Sequence, residues 1–456
     1  MSGLFTSLST ASQSLAAANT GMDVAGQNIA NINTPGYTRR TLLLAEVPPA
    51  TDLSATGGVT VQGIRAERDP FVEARLANEQ EAGAYDQATV NGLTDIEAAV
   101  GLPGQSLDAQ LSSFFDAFST LADDPTSAPA RDGVIVQAQQ LVSGFHDMAD
   151  RLSTARQTAD TSIVNDLGQV NQLAAQVAHL NDQISVNGPD VENLRDERNS
   201  AVAELVRITG AAVTSRPDGQ VDLSVGNGRA LVVGATAYTL TGTATAPNGL
   251  TAIQSGGRDI TSEITGGEIG GLLHVRDTVV PGYQSQIDQL ASDVATAVNT
   301  AHHAGFDANG DAGGDFFTPP ATVAGAAAAL SVADAVNGDP QLIAASGTGA
   351  AGDNTTARTI AGLRDAPIAV GGTASPLAAW SQFAYRVGTD VSSATASSAS
   401  HDAVIQQLQQ LRDQTSGVSL DEEAANLMRF QRAYEANARY FTTISDTLDA
   451  LMNMVQ

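Results

Sequence analysis

The sequence predicts a mainly α protein with an inserted β domain, an elongated multi-domain chain with its N- and C-terminal coiled-coil helices paired, a long helical bundle and an outward β module. Three patterns predict it. Apolar residues at Leu4, Leu8, Ala11, Leu15, Ala18, Met22, Ala25, Ile29 and Ile32 are spaced alternately by four and three, the seam of a coiled coil. A matching stripe runs through Leu420, Ala424, Leu427, Tyr434, Ala438, Phe441, Leu448 and Val455, with Phe430, Ile444 and Leu451 beside polar breaks at Gln431 and Ser445. Between the ends, helical spacing gives way near residue 210 to an alternation of two, at Val221, Leu223 and Val225, and later returns.

Each element has a local reason. Thr34-Pro35-Gly36 ends the first helix, because proline cannot continue it and Gly36 supplies the positive φ of a tight turn. Extended stretches follow at 41 to 44 and 59 to 64. Asp69-Pro70 is an N-cap with proline at the first helical position, so a helix starts there with Phe71, Leu76, Tyr85, Leu93, Ile96 and Val100 inward. Gly101 and Pro103-Gly104 interrupt it. Ser106 opens the next, with Leu107, Leu111, Phe114, Phe118 and Leu121 inward, and Asp124-Pro125 stops that one. From Val134 through Leu141, Phe145, Leu152, Ile163, Val170 and Val177 to Ile184 the spacing predicts a rod of about fifty residues, roughly 75 Å at ~1.5 Å per residue. Asn187-Gly188-Pro189 breaks it, and Asp190 begins a helix that buries Leu194, Val202, Leu205 and Ile208.

Residues 210 to 266 read as a small β domain, with strands between glycine-rich breaks. Helix resumes at Leu272 and reaches His302. The Gly/Ala/Thr/Asp-rich stretch 305 to 376 is mixed, with a hairpin near its start. A helix from about Leu377 is expected to break in the serine-rich stretch 392 to 400, and the last one begins near Val418. The expected division is therefore 1–40 with 415–456 as a terminal coiled-coil domain, 41–209 with 267–414 as a helical bundle, and 210–266 as the β insertion.

Composition excludes several functions. The formal charge is −28, and all 22 basic residues are arginines. Binding to phosphate backbones needs clustered cations, so nucleic acid is not a partner. The acidity favours solubility, and a second reading is that chain-to-chain repulsion holds back premature assembly. With no cysteine, neither disulfides nor thiolate metal sites contribute. The first 38 residues lack the basic n-region and unbroken apolar core of a cleaved secretory signal. Arg39-Arg40 before Leu42-Leu43-Leu44 resembles a twin-arginine signal in miniature, but Glu46 and Pro48-Pro49 end the apolar run. No apolar stretch is long enough to span a membrane.

Sites for chemistry are sparse, and no catalytic residue, cofactor or metal is expected. Asp307, Asn309, Asp311 and Asp315 have the rhythm of a calcium loop, but Ala312 stands where its turn glycine belongs and Thr318 where its closing glutamate belongs. Asx-turns explain the same residues. His302 and His303 diverge by ~100° on a helix and read as a solvated helix end. Lysine is absent, which rules out a Walker loop, and neither G-x-S-x-G nor H-E-x-x-H occurs. Asp421-Glu422-Glu423 reads as surface charge capping the last helix, with recognition as the alternative. The amides of Asn28, Asn31 and Asn33 can satisfy backbone groups at a helix end.

The segment Ala30-Asn31-Ile32-Asn33-Thr34-Pro35-Gly36-Tyr37 resembles the signature of the axial flagellar proteins, the rod, hook and hook-associated subunits. Asn28, Asn31, Thr34, Pro35, Gly36 and Tyr37 are the positions that carry it. The C-terminal Asp421-Glu422-Glu423-Ala424-Ala425-Asn426, followed by Gln431-Arg432-Ala433-Tyr434, is similar to the hook-associated branch. The resemblance implies a non-enzymatic structural subunit at the hook–filament junction. It would self-associate into a helical ring, contact the hook protein, a second junction protein and flagellin, meet an export chaperone at its last helix, and leave through the flagellar export channel. On this reading Leu4, Leu8, Leu15, Met22, Ile29, Ile32, Leu420, Leu427, Tyr434, Phe441, Leu448 and Val455 form the assembly interface. A hook or rod subunit remains the alternative within the family. A calcium-dependent adhesin or a cell-wall hydrolase is the alternative outside it.

Overall fold

A computed structural model describes residues 2–34, 36–47, 58–101, 104, 106–186, 191–245 and 249–454. Helix α1 (Ser2–Ala30) leads into an antiparallel hairpin, β1 (Arg40–Val47) and β2 (Gly58–Ala66), which a bulge between Leu43 and Leu44 kinks. Four helices follow: α2 (Pro70–Val100), α3 (Leu107–Asp123), α4 (Ala128–Val186) and α5 (Glu192–Thr209). Strands β3 (Ala212–Ser215), β4 (Val221–Val225), β5 (Arg229–Val233) and β6 (Thr236–Ala237) form one antiparallel sheet, and β7 (Leu240–Ala244), β8 (Thr251–Ser255) and β9 (Arg258–Asp259) a second. The chain then runs through α6 (Gly267–His274), a π-turn (Val275–Val279) and α7 (Val280–His303). Beyond these lie three short helices, α8 (Ala326–Ala329), α9 (Asp334–Gly338) and α10 (Thr355–Gly362), and the long α11 (Pro376–Ser416) and α12 (Leu420–Met454).

The capping signals act as their chemistry requires. Asp69 accepts from the backbone N–H of Phe71 at 2.9 Å and of Val72 at 3.3 Å. At α3 the cap comes from Asp108 rather than Ser106, accepting from the N–H of Gly104 at 2.6 Å and of Ala109 at 2.8 Å. The breaker Asn187-Gly188-Pro189, the starter Asp190 and Pro103 lie outside the described residues.

Helix α4 has 59 residues, ~88 Å at ~1.5 Å per residue, and serves two cores in succession. Its first half sends Val134, Leu141, Phe145 and Leu152 into a core shared with α3, α7 and the segment after residue 305. There Phe114, Phe118, Phe316 and Phe317 pack with ring centroids 4.9–5.8 Å apart. Such tilted and edge-on pairs add about 0.5–1.5 kcal/mol each beyond area burial. The second half sends Ile163, Leu167, Val170 and Val177 against Leu205 and Ile208 of α5 and Leu223, Leu231 and Ile253 of the sheets.

Asparagines on α4 fix the strands. The Asn181 carboxamide donates to the carbonyls of Val221 and Gly234, both at 2.8 Å, and Asn171 exchanges two 2.8 Å bonds with the backbone of Leu240. Buried Arg276, in the π-turn, reaches Asp160 at 2.6 Å and the carbonyl of Thr251 at 2.7 Å. The carbonyl that the π-turn frees on Arg276 accepts from Arg156 Nε at 2.9 Å. The helical body and the β strands thus share both apolar and polar contacts.

Several expectations need correction. Helix α11 runs unbroken through the serine-rich stretch 392–400, because its small residues let α2 approach closely: Ala394 and Ser398 are buried, Ser397 donates to Asp86, and His401 Nδ1 meets Glu79 at 2.8 Å. Tertiary contact overrides weak propensity here. Phe71, expected inside, is 75% exposed, since the inward face of α2 begins at Val72 and Leu76. The helix expected from Leu272 already starts at Gly267.

In the mixed segment, antiparallel bridges join Phe306 to Ala312 and Ser346, and Phe317 to Val332. Asp307 Oδ1 accepts from the N–H of Asn309 at 2.8 Å and of Asp311 at 2.9 Å, the Asx geometry. Asp315 faces outward and meets His303 at 2.8 Å.

His302 is a further correction: it is fully buried rather than solvated. Nδ1 bonds the carbonyl of Gly314 at 2.7 Å and Nε2 the backbone N–H of Ala344 at 2.9 Å, a pair that only the neutral ring protonated at Nδ1 can make. Burial lowers its pKa below the ordinary histidine value. The unfolded chain therefore binds the proton more readily, so this contribution to stability is full above about pH 6.5 and is lost as pH falls below it. Replacing His302 by alanine strands the Ala344 N–H. Thermal melts should show a loss of roughly 1–3 kcal/mol at pH 7.5 and a shallower stability decline between pH 6.5 and 5 than in the parent chain.

Candidate assembly interface at the terminal helices

Helices α1 and α12 lie against each other along the small-residue side of α1. Ala11, Ala17, Ala18, Val24 and Ala25 are buried there. A Cβ at Gly21 would come within 2.6 Å of the Phe430 ring, so glycine alone lets the two helices come this close. On α12 the buried positions are Glu423 and Ile444, with Leu427, Phe430, Phe441 and Leu448 half-buried. Leu4, Leu8, Leu15, Met22, Ile29 and Ile32 are also half-buried. Leu420 is 53% exposed and Tyr434 40%. Pro35 and Val455 lie outside the described residues. The alanines of the first seam make the contact within the chain, and its larger members flank that contact and stay partly open.

The terminal pair is held to the body through Asn28, which is fully buried. After α1 the chain turns at Thr34, whose N–H bonds the Asn31 carbonyl at 2.9 Å, and Gly36 takes φ +80°. Asn31 closes the helix end, donating to the Gln27 carbonyl at 2.9 Å and accepting from Thr34 Oγ1 at 3.1 Å. Asn33 is exposed. The reversal brings β1 beside Asn28. Its Nδ2 donates to the Arg40 carbonyl at 2.9 Å and its Oδ1 accepts from the Arg40 N–H at 3.0 Å, as a neighbouring strand would. The remaining capacity of the same amide accepts from Tyr37 Oη at 2.8 Å and donates to Glu423 Oε2 at 3.1 Å.

Glu423 therefore does not behave as surface charge at a helix N-terminus. It is 2% exposed, facing α1 rather than its own first turn, and its Oε1 takes Arg39 Nε at 2.8 Å. Glu422 pairs with the same arginine at 2.9 Å, while Asp421 stays exposed. Arg40 stacks on the Tyr37 ring, 4.8 Å from its centroid, and reaches Asp196 of α5 at 3.0 Å. Arg68 closes on the other oxygen of Asp196. Burial lifts the Asp196 carboxyl above its usual range against the pull of both arginines. A continuous polar chain thus joins α12, α1, β1 and α5. Neither the Glu423 nor the Asp196 contact had a signal in the sequence, because a carboxylate at either position reads equally well as solvated.

Among the described residues no group of three or more His, Cys, Asp or Glu side chains is placed to hold a metal ion, and no helix is long and apolar enough to cross a membrane.

Known proteins place this architecture. Residues 93–317 match the family described as flagellar hook-associated protein FlgK helical domain, residues 8–38 the flagella basal body rod protein family, and residues 409–454 the flagellar basal body rod FlgEFG protein C-terminal family. The chain is similar to flagellar hook-associated protein 1 of Escherichia coli (strain K12), at 29% identity over 98% of this chain and 99% of that protein. It is also similar to the protein of that name from Bacillus subtilis (strain 168), at 26% identity over 99% of each. The solved structure of the flagellar hook junction protein FlgK from Burkholderia pseudomallei shares the fold, with a TM-score of 0.68 at 17% identity over 75% of this chain and all of that one.

Removing either half of the Asn28–Glu423 contact should loosen the ends without melting the body. Asn28→Ala leaves both backbone groups of Arg40 unpaired, a cost of about 1–3 kcal/mol per group. Glu423→Ala strands the Asn28 N–H whose bond it accepts and removes one of the two carboxylates on Arg39, which keeps Glu422, a cost of about 1–3 kcal/mol. Hydrogen exchange on either variant should show lost protection in α1 and α12, with that of α4 and α7 unchanged.

Proposed function

Because this chain belongs to the hook-associated protein 1 family of axial flagellar subunits, we propose that it is the structural subunit forming the junction between hook and filament. One observation carries this reading: the terminal helices that match the rod-protein families pair with each other yet leave apolar stripes half open, as subunits that finish packing against neighbours must. The twelve seam residues named above are then its assembly interface, and the signature turn with Asn28 and Tyr37 sets the direction in which the terminal pair leaves the body. Residues 1–40 with 415–456 form the axial part, 41–209 with 267–414 the helical part that stands away from the axis, and 210–266 its β portion.

In finer terms, the chain forms a ring on the hook protein and presents a platform to the second junction protein and then flagellin. Export runs through the flagellar channel to the cell exterior, and a chaperone covers the open face of α12 beforehand. Exposed Leu420, Met428 and Tyr434 are the kind of surface that needs such cover. The family is structural, and this chain does no chemistry of its own.

Deleting the gene should leave hooks without filaments under the electron microscope. Leu15→Asp or Leu448→Asp should reproduce that defect with the protein still made. Each change forfeits apolar burial of roughly 1.5–3 kcal/mol and adds the cost of a desolvated charge. Normal filaments in the deletion strain would overturn the function, and normal filaments in both variants would remove these residues from the interface.

A further inference from the structure

Behind its acidic first turn (Asp421, Glu422 and Glu423), α12 carries arginines at 429, 432 and 439, whereas the charged groups of its last turns are carboxylates only, and each of these two regions faces a surface that its own chain leaves uncovered. Near the start of α12, a groove opens between α1, β1 and α12, floored by Val24, Ala25 and Phe430 and walled by Leu42 and Leu44, the last 48% exposed. Arg429 stands over it with its guanidinium 5.0 Å from the Phe430 ring centroid. Arg429 and its neighbour Arg432 are exposed, and neither makes an ion pair among the described residues. In a chain with 50 acidic residues against 22 arginines, two adjacent unpaired arginines mark a place where anionic groups belong.

The far end of the same helix is the counterpart. Beyond Arg439, α12 carries Asp446 and Asp449 and no basic residue, and both carboxylates are exposed without ion pairs among the described residues. Beside them Leu451 is 36% exposed, Met452 64%, and Phe5 of α1 59%. Positions 429 and 449 lie ~30 Å apart along a straight helix at ~1.5 Å per residue. One chain cannot bring its own tip to its own groove.

We propose that the groove receives the tip of α12 from a second copy of this chain, with Asp446 and Asp449 meeting Arg429 and Arg432 while Leu451 and Met452 cover Leu42 and Leu44. The contact is heterologous, head to tail, so repetition builds a ring or a helix rather than a closed dimer. This proposal rests on the reading of the chain as a self-assembling axial subunit and names the surfaces that meet.

The absence of cysteine from the natural chain makes a direct test possible. Leu44→Cys and Met452→Cys are introduced singly and together, and intact hook–filament structures are purified and mildly oxidised. A disulfide needs Cα atoms within about 7 Å, which these two positions reach only between copies. The double variant should give a ladder of covalent multimers and each single variant only monomer. Arg429→Glu and the pair Asp446→Arg with Asp449→Arg should each cut filament number at least tenfold, and combining them in one chain should restore it. A missing ladder, dimers from a single cysteine, a cross-link to a protein of different mass or failure of the combined charge exchange would each overturn the proposal. Filaments in the deletion strain would instead remove the reading on which it rests.

Discussion

A helix has already spent its backbone hydrogen bonds, so when a strand must end against one, the pairing has to come from a side chain. This protein meets that constraint repeatedly with asparagine. Asn28 pairs the backbone of Arg40, Asn171 that of Leu240 and Asn181 that of Val221. Asn299 on α7 follows suit, donating to the Phe317 carbonyl at 2.8 Å and accepting from the N–H of Phe316 at 3.0 Å. A carboxamide presents one donor edge and one acceptor edge at nearly the spacing of a peptide group, and it carries no charge to desolvate. The hairpin, both sheets and the segment after residue 305 are each tied to a helix in this way.

Among these, Asn28 has the widest reach because it also holds Tyr37 and Glu423. Asp196 then extends the connection into α5 through Arg40 and Arg68. The terminal helices can therefore be loosely packed on each other and still be held at a defined angle to the body. Thin packing along alanine and rigid attachment at one end are compatible, since packing sets how tightly two helices associate while the buried polar contact sets where they point. The cost is an uncompensated group: Arg40 Nε has no partner although it is buried.

The outline of the fold was legible in the sequence, and the polar joints were not. Asp69-Pro70 and the four-three spacing of Val134 to Ile184 located α2 and α4, since capping and amphipathicity are local and leave periodic marks. The alternation at Val221, Leu223 and Val225 located β4. The serine-rich stretch of α11 misled because its small side chains serve a neighbour 311 positions away, as Ser397 with Asp86 shows. His302, Asn28 and Glu423 were visible as residues, but their burial depends on which distant segment covers them. A polar residue at a helix end has the same local pattern whether water or β1 lies beside it, so periodicity carries no information about that choice.

Charge placement completes the architecture. In the body most arginines are used internally: Arg276 binds Asp160, Arg207 binds Glu204 and Glu268, and Arg364 binds Asp116. Where one arginine must serve three carboxylates, the balance fails. Asp166, beside Arg207, Glu204 and Glu268, is pushed up to about 6 by burial first and by Glu268 next. Exposed Arg75, Arg151 and Arg358 make no ion pair among the described residues, yet carboxylates far outnumber arginines, so the body stays negatively charged and like bodies repel. On α12 none of the three arginines, Arg429, Arg432 and Arg439, makes an ion pair among the described residues. Repulsion between bodies opposes random association at any orientation, while unpaired arginines on the terminal helix reward only the approach that brings acidic groups to them. Weak apolar seams are an advantage in such a scheme, because a strong seam would override the charge pattern and let the helices associate out of register.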